Sequence, residues 1–128
     1  MRAICDQFYG TEGIHGYGFG QDEDQGQLGA WFVMAAMGLF DVKGFTAPET
    51  SLGLSGPLFN QIRIRLNSQY YPGKDFTIIA KNIEGGDQYI QAISLNGQPV
   101  RQPFIPWAEM KKGGVLQLQM GHTMKDVY

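Results

Sequence analysis

Two periods divide the chain. As far as Met37 the apolar residues recur at helical spacing on either side of a glycine-rich stretch, and from Gln61 onward they alternate one in two. In the first part, Ile4, Cys5, Phe8 and Tyr9 lie along one side of a short helix over Arg2–Tyr9 that stops at Gly10. Residues 10–24, GTEGIHGYGFGQDED, hold five glycines and follow neither period, which predicts a loop, long for so small a chain. A second helix is predicted from about Gln25 to Met37. Asp24 opens it as a cap, Gln27 stands close to the capping-box spacing, and Gly38 closes it. Among the ten residues Leu28–Met37 only Gly29 is not apolar. A helix that is apolar on every side needs cover on every side, and the rest of this chain has little to spare for it.

The second part reads as sheet. Segment 39–59 mixes turns with short extended pieces. Ile62, Ile64 and Leu66 then alternate with Arg63 and Arg65, and Phe76, Ile78 and Ala80 with Thr77 and Ile79, as strands with one wet face do. Tyr89–Leu95 is a third strand. Asn96-Gly97 after it is the strongest short hairpin signal, with a return strand starting near Gln98. PWAEMKK, from Pro106, predicts one helical turn, and Val115, Leu116, Leu118 and Met120 mark a last strand. The expected fold class is α+β: a helical segment over residues 1–45 with its acidic glycine-rich loop, then an antiparallel sheet or sandwich over 46–128.

Composition narrows the functions. The 128 residues carry ten Lys and Arg against twelve Asp and Glu, scattered, so no basic stripe exists to neutralise phosphates and nucleic acid is a poor partner. No stretch approaches the roughly 20 apolar residues of a membrane span, and MRAICDQF lacks the apolar run of a signal peptide. A lone cysteine, Cys5, permits neither an internal disulfide nor a zinc knuckle. Eighteen glycines make this a protein of turns.

The densest polar cluster is Asp22-Glu23-Asp24, at the end of the loop and the start of the apolar helix. A helix N-terminus favours ionised carboxylates, which suits a general base that must be unprotonated. A calcium loop fits badly: the glycine comes one residue early and Val33 stands where the bidentate Glu belongs. The plain alternative is that Asp24 is an N-cap and its neighbours a solvated turn. Gly16, Gly18 and Gly20 miss the G-x-G-x-x-G spacing and follow no strand. His15 and His122 are far apart in sequence and read as surface or packing residues, while Trp31 and Phe32, inside the apolar helix, read as core.

Residues 20–42, GQDEDQGQLGAWFVMAAMGLFDV, resemble the signature of glycoside hydrolase family 92, the calcium-dependent exo-acting α-mannosidases, close to G-[ND]-[ED]-D-x-G-Q-M-S-A-W-Y-V-x-x-x-L-G-F-Y-P-V. LGLSGPLF from Leu52 is similar to the family's I-G-S-P-L-F. SLNGQPV and KKGGVLQLQMG are similar to its L-N-G-K-P and its M-K-G-G-x-L-x-F-x-M-G ending. Gly29 replaces a common Ser, Asp41 a common Pro, and Pro106-Trp107 a frequent His.

The resemblance implies that Asp22 and Asp24 activate water in an inverting hydrolysis of terminal α-linked mannose, with Asp24 the first choice as base and Glu23 shaping the turn on the substrate side. It also implies that the general acid and most ligands of a calcium cofactor lie upstream, so that this chain is the C-terminal part of a larger secreted, periplasmic or cell-surface enzyme. No metal ligand is assigned within the chain. Its apolar helix would then belong to a helical barrel. The chain alone is expected to be inactive, and to self-associate or to rest against the missing upstream domain. The alternative is a non-catalytic carbohydrate-binding or structural β module.

Overall fold

The computed structural model describes residues 1–9, 27–41, 43–44, 46–83 and 86–124, the side chain of Phe8 excepted. The predicted loop at 10–24 lies outside them. Helix α1 is Arg2–Phe8 and α2 is Gln27–Ala36, followed by β1 (Leu39–Phe40) and β2 (Ser51–Leu54). Next come β3 (Gln61–Arg65), β4 (Asp75–Lys81), β5 (Tyr89–Leu95), β6 (Gln98–Pro99), β7 (Phe104–Pro106), the one-turn helix α3 (Trp107–Met110) and β8 (Gly114–Gly121). Both long helices and every strand anticipated from Gln61 onward are present. Among the described residues no helix is long and apolar enough to cross a membrane.

The strands form a three-stranded sheet, β1-β2-β7, and a five-stranded sheet, β3-β4-β8-β5-β6. The class is α+β, as the two periods imply. One pairing departs from the expected antiparallel arrangement: β4 and β8 run parallel, with Phe76 opposite Gly114 and Lys81 opposite Gln119. Alternation along a strand reveals its buried face but not its direction relative to a neighbour. A parallel pair needs a long crossover. Here the connection between β4 and β8 carries β5, β6, β7 and α3. The small sheet was visible in sequence only as short extended pieces, because β1 has two residues and β2 contains Gly53.

The core follows the alternation closely. Phe76, Ile78 and Ala80 of β4 and Leu116, Leu118 and Met120 of β8 are buried, Phe76 and Leu116 completely. Leu39, Leu52 and Ile105 of the small sheet and Met110 of α3 join them in one cluster. Each large side chain withdrawn from water there contributes about 1.5–3 kcal/mol. Ile62 and Ile64 are only half-buried, since β3 is an edge strand. The hairpin stands where Asn96-Gly97 predicts it, with φ of 50° and 81°, the positive values that a type I′ turn requires.

Candidate active site

Asp22, Glu23 and Asp24 lie outside the described residues, as does His15. What the structure does describe is the helix that follows them and the way it is held. At its near end, Tyr9 stacks on Trp31 and Phe32, with ring centroids 5.4 and 5.0 Å apart and planes within 22° and 24° of parallel. These two rings are half-buried against α1 rather than enclosed in the core.

The far end of α2 is clamped. The Gly38 amide donates to the Ala35 carbonyl at 2.9 Å, and Gly38 then takes φ of 75°, the left-handed step that closes many helices. The Gly38 carbonyl accepts from the Ser55 amide and the Ala36 carbonyl from the Leu58 amide, each at 2.9 Å. Arg2 reaches across from α1, its Nη1 donating to the Pro57 carbonyl at 2.7 Å. A Cβ at Gly38 would run into the Ser55 carbonyl oxygen. The segments AMGLF and LSGPLF, distant in sequence, are therefore one local structure.

A second pair of segments meets in the same manner. Asn96 of SLNGQPV accepts at Oδ1 from the Val115 amide, 2.8 Å, and donates its own amide to the Val115 carbonyl, 2.8 Å. Gly114 of KKGGVLQLQMG, at φ of 128°, leaves the room that the Asn96 side chain fills.

Between its two anchors α2 is poorly covered. Ala35 and Ala36 are buried, while Val33 is 55% exposed and Gly29 and Ala30 face water. Ile4 on α1 is likewise exposed. The apolar girth of α2 exceeds what the described residues put around it.

Other candidate groups sort plainly. Burial pushes the Cys5 thiol up, away from the thiolate that a nucleophile needs. His122 is 74% exposed, with Nδ1 2.6 Å from Asp87 Oδ1, an ion pair whenever the imidazole is protonated. Neither this pair nor the Arg2 bridge to Pro57 has a signal in the sequence, because each joins positions that only the folded chain brings together. Among the described residues no three His, Cys, Asp or Glu side chains gather within reach of one metal ion.

With this geometry in place, the comparisons are specific. The fold is shared with glycoside hydrolases: residues 1–122 match the family model described as the glycosyl hydrolase family 92 catalytic domain. The chain belongs to that family. Among solved structures, the family GH92 inverting mannosidase BT2199 from Bacteroides thetaiotaomicron is 31% identical, with a TM-score of 0.71 over 93% of this chain. The GH92 glycosyl hydrolase ccman5 is 27% identical over 83% of it, also with a TM-score of 0.71. The GH92 α-mannosidase BT3965 of B. thetaiotaomicron, solved with mannoimidazole, shares the fold at 22% identity, with a TM-score of 0.80 over 98%. The chain spans 15%, 13% and 15% of the lengths of these three structures. Among curated proteins none matches the sequence.

Proposed function

We propose that this chain is the C-terminal part of an inverting α-mannosidase that removes terminal α-linked mannose from glycans, and that it supplies the carboxylates that activate water. The observation that carries the reading is the family match over residues 1–122, within which Asp22-Glu23-Asp24 stands immediately before α2. Asp24, three residues ahead of the first described residue of α2, is the base. Partial positive charge at a helix N-terminus keeps such a carboxylate ionised, the state in which it can take a proton from water. Asp22 helps to orient that water, and Glu23 shapes the turn on the substrate side.

Inversion requires the water to sit between the base and the anomeric carbon, with a separate acid on the far side and the two carboxyl groups about 6.5–9.5 Å apart. That acid, and a calcium ion with its ligands, belong to the remainder of a catalytic domain of which this chain is a small share. The exposed length of α2 is the surface on which the remainder rests. The enzyme works outside the cytoplasm, where terminal mannose on glycans is met. By itself the 128-residue chain releases no mannose, because a base without acid or sugar pocket supplies only a small part of the rate.

The test is Asp24→Asn in the longer enzyme: turnover falls by roughly 10²-fold or more while binding of an unreactive mannoside is retained. Full turnover with both Asp22→Asn and Asp24→Asn would leave a non-catalytic carbohydrate-binding or supporting role in its place. Mannose release by the 128-residue chain with calcium present would overturn the shared site.

A further inference from the structure

A polar cleft of about 670 Å³ opens where β3 and β4 end, with Gln61, Lys81, Asn82 and Asp87 around it and Ile79 and Ile83 among its walls. Its volume falls within the roughly 300–1,000 Å³ of ordinary small-molecule sites. Its lining comes from residues 60–61, 79–83 and 87, well away in sequence from Asp22–Asp24, and the proposed hydrolysis makes no use of it.

The cleft has a backbone feature of its own. Asn82 has φ of 66° and is one of two described non-glycine residues with positive φ. The other, Asn96, is accounted for by its hairpin. No hairpin turn falls at Asn82, which comes directly after Lys81, the last residue of β4 to pair with β8. The left-handed step takes the chain out of the ladder and sets the Asn82 carboxamide at the cleft, where it bonds to no described residue. Sparsely populated backbone conformations of this kind gather at ligand sites.

The chemistry selects a ligand class. Lys81 and Asp87 bring opposite charges, with His122 against Asp87, so the two charged lining side chains cancel formally and single out neither an anion nor a cation. The carboxamides of Gln61 and Asn82 each donate and accept, as a hydroxyl does. Ile79 and Ile83 add aliphatic surface beside them. A pyranose ring has these same two aspects, a rim of hydroxyls and an apolar C–H face.

We infer that this cleft is a second, non-catalytic site for a neutral hexose unit of a glycan. The choice of mannose as that hexose rests on the function proposed above. The cleft as a sugar site does not.

The experiment is hydrogen–deuterium exchange of the 128-residue chain, read by mass spectrometry, with methyl α-mannoside, methyl α-glucoside or glycerol added. One or both glycosides slow exchange in peptides covering residues 79–83 and 86–90, half-maximally on the order of 1 mM, and glycerol does not. Asn82→Gly keeps the backbone step and removes the carboxamide, and Gln61→Ala removes the other. Each weakens protection by roughly tenfold, whereas Gln98→Ala leaves it unchanged. Absence of protection with both glycosides, equal protection by glycerol, or protection indifferent to both cleft variants overturns the site. Protection by the glucoside alone supports the cleft and counts against the mannose assignment. Protection by the mannoside together with an active Asp24→Asn enzyme supports the cleft while defeating the catalytic reading.

Discussion

The two halves of the chain treat their apolar residues differently. In the sheets most of the large side chains on the central strands are inside: Phe76 and Leu116 are fully buried, and strands from both sheets close over them. In the helical part the buried residues are small, Cys5, Ala35 and Ala36, while Val33 and Ile4 remain open to water. The sheets satisfy themselves. The helices expose apolar side chains that the described residues do not cover, which is the physical reason for proposing that α2 is one wall of something larger.

The contrast can be broken most forcefully at the sheet core. Phe76→Ala leaves a cavity under both sheets and is expected to lower unfolding free energy by about 3–5 kcal/mol, read from the denaturant midpoint. A loss no larger than that of a surface residue would mean that the core is not where the stability lies.

Next comes the clamp that joins the halves. Gly38→Ala must hold φ of 75° and push its Cβ against the Ser55 carbonyl, for a loss of about 1–3 kcal/mol. The same exchange at Gly29, where a Cβ meets nothing, is expected to be neutral or slightly stabilising.

A smaller effect is electrostatic. Arg63 Nη2 donates to Asp75 Oδ2 at 2.7 Å on the β3–β4 ladder, and that hydrogen bond holds the Asp75 carboxyl below its usual range. A carboxyl depressed in the folded state adds stability above its unfolded value, about 3.9, and that contribution disappears as pH falls from there through the lower folded value. Stabilities of the parent chain and Asp75→Asn should therefore differ at neutral pH and converge below about pH 3.9, as acid titration of the unfolding midpoint would reveal.

The smallest change in folding stability is expected at Val33→Glu, within about 0.5 kcal/mol because the side chain is already exposed. Its consequence lies elsewhere. The parent chain should sediment as self-associated species at micromolar concentration and the variant less so, and a strictly monomeric parent would remove the argument that α2 lacks cover.

Much of this was legible in the residues. Alternation at Phe76, Ile78 and Ala80 and at Leu116, Leu118 and Met120 located the core strands, because burial on one face of a strand repeats every second residue. Asn96-Gly97 located the hairpin, because few other dipeptides accept two positive φ values. The parallel union of β4 with β8 was not legible, since strand direction depends on which distant neighbour arrives. Nor was the union of Asp87 with His122, which a single close side-chain contact creates across 35 positions. For the candidate site, the cluster Asp22-Glu23-Asp24 and the apolar helix behind it were both visible as pattern. The polar cleft was not, because its residues belong to three separate short stretches with no shared period.

The position of β8 has one more consequence. Among the described residues it is the last strand in chain order, yet it occupies the centre of the large sheet, with β4 on one side and β5 on the other. During synthesis, at roughly 5–20 residues per second, those two neighbours emerge first and wait with unpaired edges for the strand that separates them. The sheet therefore closes like a zip whose middle row of teeth is added last, and any premature stop before Gly114 would leave two sticky borders rather than a slightly smaller sheet.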